Sequence, residues 1–482
     1  MAKDRKNIRK YILSPMYALR GWNLLPYAIQ ARFVPHTEFL EKEPFELLKK
    51  CDGKTELRMN ELSEEQHQLL ERWLRGGFIR EAEKDDQLLP IQEYRFYPVR
   101  FKEDVQWSIT GKCNYRCRHC FMSAPHALQG EPSWQELMHM LDSFERCGIH
   151  AVNLTGGEPM VRKDFWQLVD EILSRGIIIP TLYSNGALIT DEFLDQLDQR
   201  GMKPVIQFSF DGVGSHDWMR GVPGAERAVN EAMKRCRERG IRFSASMVLF
   251  RESLGGIRES VNHLASLGCE GVKIGSATPQ GEWRKEKEHY LSNAELYQAF
   301  LDYIPKFFED GAPLSIDLSG LFNYVKEDET RRGSFFEKDI PEELFNKRLM
   351  CGHVRRGMYV SPQGYVLPCM SMVGTPIESR FPNLLETRLE RILNGKSLYM
   401  EIINYRISDF MEHQPDCQKC RYRQLCCGGC RAIALETSPE DYLGKDMSVC
   451  EYYLGGWMEK KNALMKELGN KYKKKSSGAL RC

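Results

Sequence analysis

Apolar positions along the middle of the chain follow two alternating rhythms. Short apolar or alternating runs read as strands: VQWSIT (105–110), AVNLTGG (151–157), IPTLYSNG (179–186), PVIQFSFDG (204–212), RFSASMVLF (242–250) and GVKIGSATP (271–279). Helical stripes lie between them. One opens on a Ser133/Glu136 capping box and lines up Trp134, Leu137, Met138, Leu141 and Phe144. The next opens at Asp164, carries Phe165, Leu168, Val169 and Ile172, and stops at Gly176. Later ones stop at Gly201, Gly240 and Gly268, the usual C-terminal residue. Six strand–helix units predict a parallel sheet with right-handed crossovers. Polar motifs recur at the strands' C-terminal ends, which favours a partial (β/α)6 TIM-like barrel over a Rossmann sheet. The fold class is α/β, with the barrel over 103–290.

The flanks follow other patterns. In 1–102, Phe45, Leu47 and Leu48 predict a short helix that ends at the Asp52-Gly53 turn. A Ser63/Gln66 capping box then starts a helix whose stripe is Leu69, Leu70, Trp73 and Leu74, ending at Gly76-Gly77. FIREA and LLPIQ follow as the two strands of a wing, so this segment reads as a winged-helix-like domain. Residues 291–350 are charged and read as a mostly helical bridge. Residues 351–460 are rich in cysteine and poor in long periodic segments, as metal-supported folds are. The basic, polar tail within 461–482 reads as disordered from 469.

Lys plus Arg is 68 and Asp plus Glu is 67, a formal net charge of +1. That balance argues against nucleic-acid binding and offers nothing to an anionic membrane surface. No run reaches the ~20 apolar residues of a membrane helix. The basic N-terminus has no apolar core followed by a cleavage site, which predicts a cytoplasmic protein. The 16 cysteines are therefore read as metal or redox groups rather than disulfides.

Three of them, Cys113, Cys117 and Cys120, sit in CxxxCxxC spacing in the loop after the first strand. A loop can wrap three thiolates around one face of a cubane and leave the fourth iron open to a small molecule. A zinc site completed by His119, or unpaired core cysteines, are the competing readings. His119 lies between Arg118 and Cys120, where it would strain a tetrahedral site. Seven more, Cys351, Cys369, Cys417, Cys420, Cys426, Cys430 and Cys450, cluster near the C-terminus, where a zinc ribbon is the competing reading. Cys147 and Cys236 fall on apolar helix positions as core fillers, Cys51, Cys269 and Cys482 stand alone, and Cys427 merely neighbours a ligand.

The second strand ends in Thr155-Gly156-Gly157-Glu158-Pro159. CxxxCxxC after one strand and GGEP after the next resemble the radical S-adenosylmethionine (radical SAM) superfamily. The resemblance implies that the cofactor's methionine group chelates the open iron. Gly156, Gly157 and Glu158 would hold its amino group. Ser184 and Ser209 would lie near its ribose and carboxylate, with Asp211 nearby and Arg220 reaching the carboxylate. Turn chemistry is the other reading of Asn185-Gly186 and Asp211-Gly212. The C-terminal seven resemble the SPASM module of peptide-modifying members. This implies two auxiliary 4Fe-4S clusters, one on Cys417, Cys420, Cys426 and Cys450, the other on Cys351, Cys369 and Cys430. Residues 352–360 lack the extra cysteine of some relatives, leaving an open iron or a non-cysteine ligand such as His353.

By this resemblance the protein is an oxidoreductase that uses the 5′-deoxyadenosyl radical to modify or cross-link a ribosomally made precursor peptide, reduced by a flavodoxin- or ferredoxin-type donor. The N-terminal unit would capture the leader by strand addition. Alternatives are an anaerobic sulfatase-maturase-like enzyme, a haem-pathway-like enzyme acting on a small molecule, and an iron-sulfur electron-transfer scaffold.

Overall fold

A computed structural model describes residues 7–126, 128–326 and 341–478, apart from the side chains of Pro125, His353 and 470–478. At its centre β1 (Asp104–Ser108), β2 (Ala151–Thr155), β3 (Thr181–Ser184), β4 (Val205–Ser209), β5 (Phe243–Leu249) and β6 (Gly271–Ser276) pair in parallel and in chain order. The crossovers carry α1 (Trp134–Arg146), α2 (Phe165–Ser174), α3 (Asp191–Gln199), α4 (Ala225–Glu238) and α5 (Ile257–Leu267). This is the expected run of six units.

Alternation along the strands explains the layering. In β5, Phe243, Ala245, Met247 and Leu249 are buried, while Ser244, Ser246 and Val248 are half-buried. The first set packs in the main core and the second faces the lumen. Between the neighbouring strands β4 and β5, Gln207 Nε2 donates to Ser246 Oγ (3.1 Å) and Ser244 Oγ donates to Gln207 Oε1 (2.5 Å). The side of these two strands that faces away from the main core is thus polar.

The sheet extends past six strands on both sides. After α6 (Asn293–Glu309), β7 (Ser315–Leu318) adds in parallel to β6 and turns back as β8 (Phe322–Tyr324). The described residues of the bridge thus carry, beside this helix, two strands absent from the reading of the sequence, in the first of which alternating Ile316 and Leu318 bury one face. On the other flank β9 (Gly357–Val360) runs parallel to β1, with β10 (Val366–Leu367) antiparallel to it. The cysteine-rich region shares the barrel's own sheet.

The N-terminal unit forms both expected helices, Lys42–Lys49 and Glu64–Arg75, and the Ser63/Gln66 capping box is made. The wing differs from expectation. Ile79–Glu81 pairs with Tyr11–Leu13, and residues 88–92 form no strand, because Gln92 folds back to donate to the carbonyls of Leu13, Ser14 and Tyr17. A four-stranded sheet, absent from the reading of the sequence, joins Thr37–Phe39, Leu25–Ala31, Tyr17–Asn23 and Arg95–Arg100. The unit has its own core around Phe45, Leu48, Leu70 and Trp73. It also plugs into the barrel: Trp22, fully buried, donates from Nε1 to Cys147 O at 3.1 Å. The tail, expected to be disordered from 469, instead continues a helix from Trp457 to Gly478.

Candidate functional site

The CxxxCxxC loop leaves β1 at Ser108 and is clamped on three sides. The end of β2 presses against it, with Gly157 N–H donating to Thr110 O and Glu158 N–H to Lys112 O, both at 2.9 Å. A Cβ at Gly156 would lie 2.6 Å from Thr110 O, and one at Gly157 would lie 2.2 Å from Lys112 O. Both glycines are there because the strand end and the loop approach this closely. The short helix His216–Arg220 holds the second side: Arg118 N–H donates to Met219 O (2.8 Å) and Arg116 N–H to Arg220 O (3.2 Å). Glu282 N–H closes the third on Cys120 O at 3.0 Å.

Glu158 is fully buried beside this loop. It accepts from Asn185 N–H at 2.8 Å and from Ser184 Oγ at 3.2 Å. Burial pushes its carboxyl up to about 7, and those two donors pull against that rise. A carboxylate held this way retains lone pairs for an ammonium group. Ser184 also accepts from Gly186 N–H (2.9 Å), so its hydroxyl orients Glu158 and the turn. Asn185 Nδ2 donates to Asn114 Oδ1 at 2.7 Å, which places the third strand end against the cysteine loop.

Asp211 is also fully buried. Its Oδ1 accepts from Val248 N–H (3.1 Å) and its Oδ2 lies 2.7 Å from Arg220 Nε. Arg220 in turn directs Nη1 at Cys117 Sγ, 3.6 Å away. Burial works against the Asp211 carboxylate, but Arg220 and the neighbouring histidines hold its pKa well below the usual range. Two histidines complete this cluster. His119 Nε2 lies 3.6 Å from Asp211, and His216 Nδ1 accepts from Asp211 N–H at 2.9 Å. The ring of His216 stacks on Phe210. The pair therefore sits behind Cys117, where it sets the thiol's surroundings. Ser209 stands half-buried at the lumen end of β4. His216 escaped notice in the sequence because a lone histidine in a short helix carries no local signal.

The C-terminal cysteines fall into two groups that feel each other's charge. Cys369 is influenced by Cys430 and Cys351, whereas Cys450 is influenced by Cys417 and Cys420, and Cys426 by Cys450. Asp446 joins the groups. Its Oδ2 accepts from Cys430 N–H at 2.8 Å, and its Oδ1 caps the helix Met447–Leu454 that carries Cys450. Gly429, in the left-handed region at φ 71°, has no room for a Cβ, which would lie 2.6 Å from Asp446 Oδ2. Arg431 lies beneath both groups, donating to the carbonyls of Tyr442 and Gly444 and stacking 4.4 Å over Phe410. Cys427 points away, toward Gln424 O. The side chain of His353, like Cys482, lies outside the described residues.

Both regions offer iron-sulfur clusters sets of clustered thiols; burial pushes the free thiols of Cys113, Cys369 and Cys426 up to about 12, an opposition that a bound iron overcomes by deprotonating its thiol ligands. Among the described residues, no three His, Cys, Asp or Glu side chains converge at the spacing of one metal ion. A cubane, unlike a zinc site, takes each thiolate on a separate iron.

Residues 107–264 match the radical SAM superfamily, and residues 351–421 match SPASM, an iron-sulfur cluster-binding domain. The chain carries a radical SAM domain and a SPASM domain. These domains imply 4Fe-4S clusters and S-adenosylmethionine binding. The AdoMet-dependent heme synthase of Oleidesulfovibrio alaskensis is 26% identical over 338 residues, 68% of this chain and 82% of that relative. The PqqA peptide cyclase of Gluconobacter oxydans is 27% identical over 332 residues, 68% of this chain and 85% of that relative. The fold of Streptococcus suis SuiB bound to precursor peptide SuiA covers 92% of this chain and 100% of that one, with a TM-score of 0.63 at 15% identity. No helix among the described residues is long and apolar enough to cross a membrane.

Proposed function

We propose that this radical SAM/SPASM protein is an oxidoreductase that modifies or cross-links a ribosomally made precursor peptide. The observation that supports this most is a strand edge of the N-terminal unit that, among the described residues, has no strand partner. Ser14 N–H donates to Phe78 O and Ala82 N–H to Lys10 O, at 2.8 and 2.9 Å. By antiparallel alternation, the backbone groups of Ile79 and Glu81 point away from Tyr11–Leu13. Among the described residues Ile79–Glu81 has no second strand partner; Ile79 is buried and Glu81 O accepts from Arg80 Nη1 at 3.0 Å, so an extended peptide adds at this edge once the Arg80 side chain swings away. The likeness to SuiB, which reaches over most of the chain, supports the same reading.

In this reading Cys113, Cys117 and Cys120 hold the first cluster. Glu158 and the Gly156-Gly157 backbone receive the cofactor's ammonium, with Ser209 at its lumen side. Bound there, the cluster and S-adenosylmethionine supply a carbon radical that removes a hydrogen atom from the substrate. Ser184 and Asn185 orient Glu158. Asp211 and Arg220, first expected on the cofactor itself, act as positioning groups behind Cys117. The polar lumen receives the substrate. Cys351, Cys369 and Cys430, and separately Cys417, Cys420, Cys426 and Cys450, hold auxiliary clusters that take up an electron. A flavodoxin- or ferredoxin-type donor supplies the reducing electron.

The test uses full-length, reconstituted protein with dithionite, S-adenosylmethionine and the short peptide encoded beside its gene. A product peptide lighter by a pair of hydrogens per bond is expected. Glu81→Pro removes an outward N–H without touching the ladder to Tyr11–Leu13, and should cut modification while sparing 5′-deoxyadenosine release. Undiminished modification in that variant would remove the strand-addition role. The heme synthase relative favours a second reading, action on a porphyrin. Turnover of a porphyrin and of no peptide would put that reading first.

A further inference from the structure

A second cavity lies at the other end of the barrel, away from every cysteine cluster. It has a volume of about 560 Å³ and separates the N-terminal sheet from the strands' N-terminal ends. One wall is Arg20, Gln30, Arg32 and Phe33; the other is His150, the run Ile177–Pro180 and Met202-Lys203.

Its electrostatics are unbalanced. Arg20 is buried to 6% exposure, yet its guanidinium meets only the carbonyls of Leu19, Ile91 and Glu93. Arg32 donates to Pro15 O, and its buried Nε has no partner. His150 is 8% exposed, with Nε2 buried and unpartnered. Its pKa is lowered to about 4 by burial and by the charges of Arg20 and Arg32. Arg200, also in the wall, is neutralised by Asp170 at 2.6 Å. No carboxylate lines the cavity to answer Arg20, Arg32 and Lys203. Arg20 is buried with its donors on carbonyls, Arg32 is half-buried and Lys203 is exposed, so the cleft presents a positive lining that favours an anion.

The rest of the lining selects the kind of anion. Ile177, Ile179 and Met202 make an apolar floor, and Phe33 and Val34 stand exposed at the mouth, at 57% and 53%. A free phosphate has no use for such walls. A carboxylate flanked by apolar side chains satisfies both features, and guanidinium forks match carboxylates bidentately. We propose that this cleft binds an acidic, apolar-flanked segment of the substrate peptide, with Arg32 and Lys203 facing its carboxylates. The proposal rests on the peptide reading above and adds to it a second anchor, on the face opposite the radical chemistry. Two anchors on one peptide raise the local concentration of the segment between them.

The probes are short rhodamine-labelled synthetic peptides in which leucine alternates with glutamate, glutamine or lysine. They are titrated against full-length reconstituted protein by fluorescence anisotropy. The glutamate peptide should bind, with the glutamine peptide weaker by about ten-fold. The double variant Arg32→Gln/Lys203→Gln should lose about the same factor for the glutamate peptide. It should release 5′-deoxyadenosine at the parental rate. If the double variant misfolds, Lys203→Gln alone, on an exposed loop, should show about a three-fold loss. Equal binding of the glutamate and glutamine peptides, or parental affinity in the folded variants, would overturn the proposal. Tripolyphosphate binding tighter than the glutamate peptide, and lost in the same variants, would also overturn it in favour of a phosphate ligand. The binding readout is separate from catalysis. Peptide modification that proceeds while the cleft binds nothing sinks only the cleft, whereas cleft binding without any peptide modification sinks only the peptide-maturase reading.

Discussion

The two cysteine regions solve one problem in different ways. The loop at 113–120 is shaped by its neighbours: β2, the helix His216–Arg220 and the Glu282 segment each pin its backbone. The stretch from 417 to 450 is built of short helices, and its clamps are few: the Asp446 carboxylate, Arg431 and a glycine pair. The first site is preformed by a sheet that exists without metal. The second depends more on the metal to hold it, as small metal-supported folds do. The difference teaches where rigidity is needed. On the proposed function the front site aims a reactive atom, whereas the rear sites only pass an electron.

The sharpest way to break the contrast is Gly157→Ala. Its Cβ would sit 2.2 Å from Lys112 O, so the loop must move. Misplacement of that order costs on the order of 100-fold in rate. We expect 5′-deoxyadenosine release to fall by that much, with the iron of the rear region retained. Replacing Cys113, Cys117 and Cys120 by Ala should leave about eight of about twelve irons.

Metal removal should separate the regions in the opposite direction. After chelation, hydrogen exchange should rise across 417–450 and stay low in β1–β6. Equal deprotection of the barrel would show that the front site needs its cluster as much as the rear ones.

Glu158 gives a pH signature confined to the front. Its carboxyl is raised from 4.5 to about 7 by burial. Below that value it is protonated and loses its attraction for an ammonium group, so S-adenosylmethionine affinity should rise as pH passes through about 7. The same shift makes the folded state bind more protons than the unfolded one, so this group's contribution to stability falls as pH rises from 4.5 to about 7. Glu158→Gln should flatten the affinity profile measured by equilibrium dialysis.

A smaller effect is expected at Asp446→Ala. Loss of a helix cap costs about 1 kcal/mol, read as a lower denaturation midpoint, and iron loss should be confined to the rear region. The smallest is Cys427→Ser, which should leave iron content unchanged because that thiol faces Gln424 O.

The barrel and both cysteine sets were legible because their signals are local: period-two strands, capping boxes, fixed spacings. The N-terminal sheet was missed because its hairpin turns at Leu24, an exposed leucine at φ 69° where the usual signal is Asn-Gly. Strand β7 was missed because four residues are too few to show a period. The roles of His216, Asp446 and Arg431 come from tertiary neighbours that no spacing announces. The same holds for Arg20 and His150, which belong to segments far apart in the chain.

The pairing of β9 with β1 has a consequence for synthesis. Asp104 waits for Gly357, which emerges about 250 residues later. At ribosomal speed that is roughly 10 to 50 s with one side of the first barrel strand unpaired. Half-made chains therefore carry an open, apolar β-edge, so the nascent protein should be most prone to aggregate, and most in need of a chaperone, in that interval.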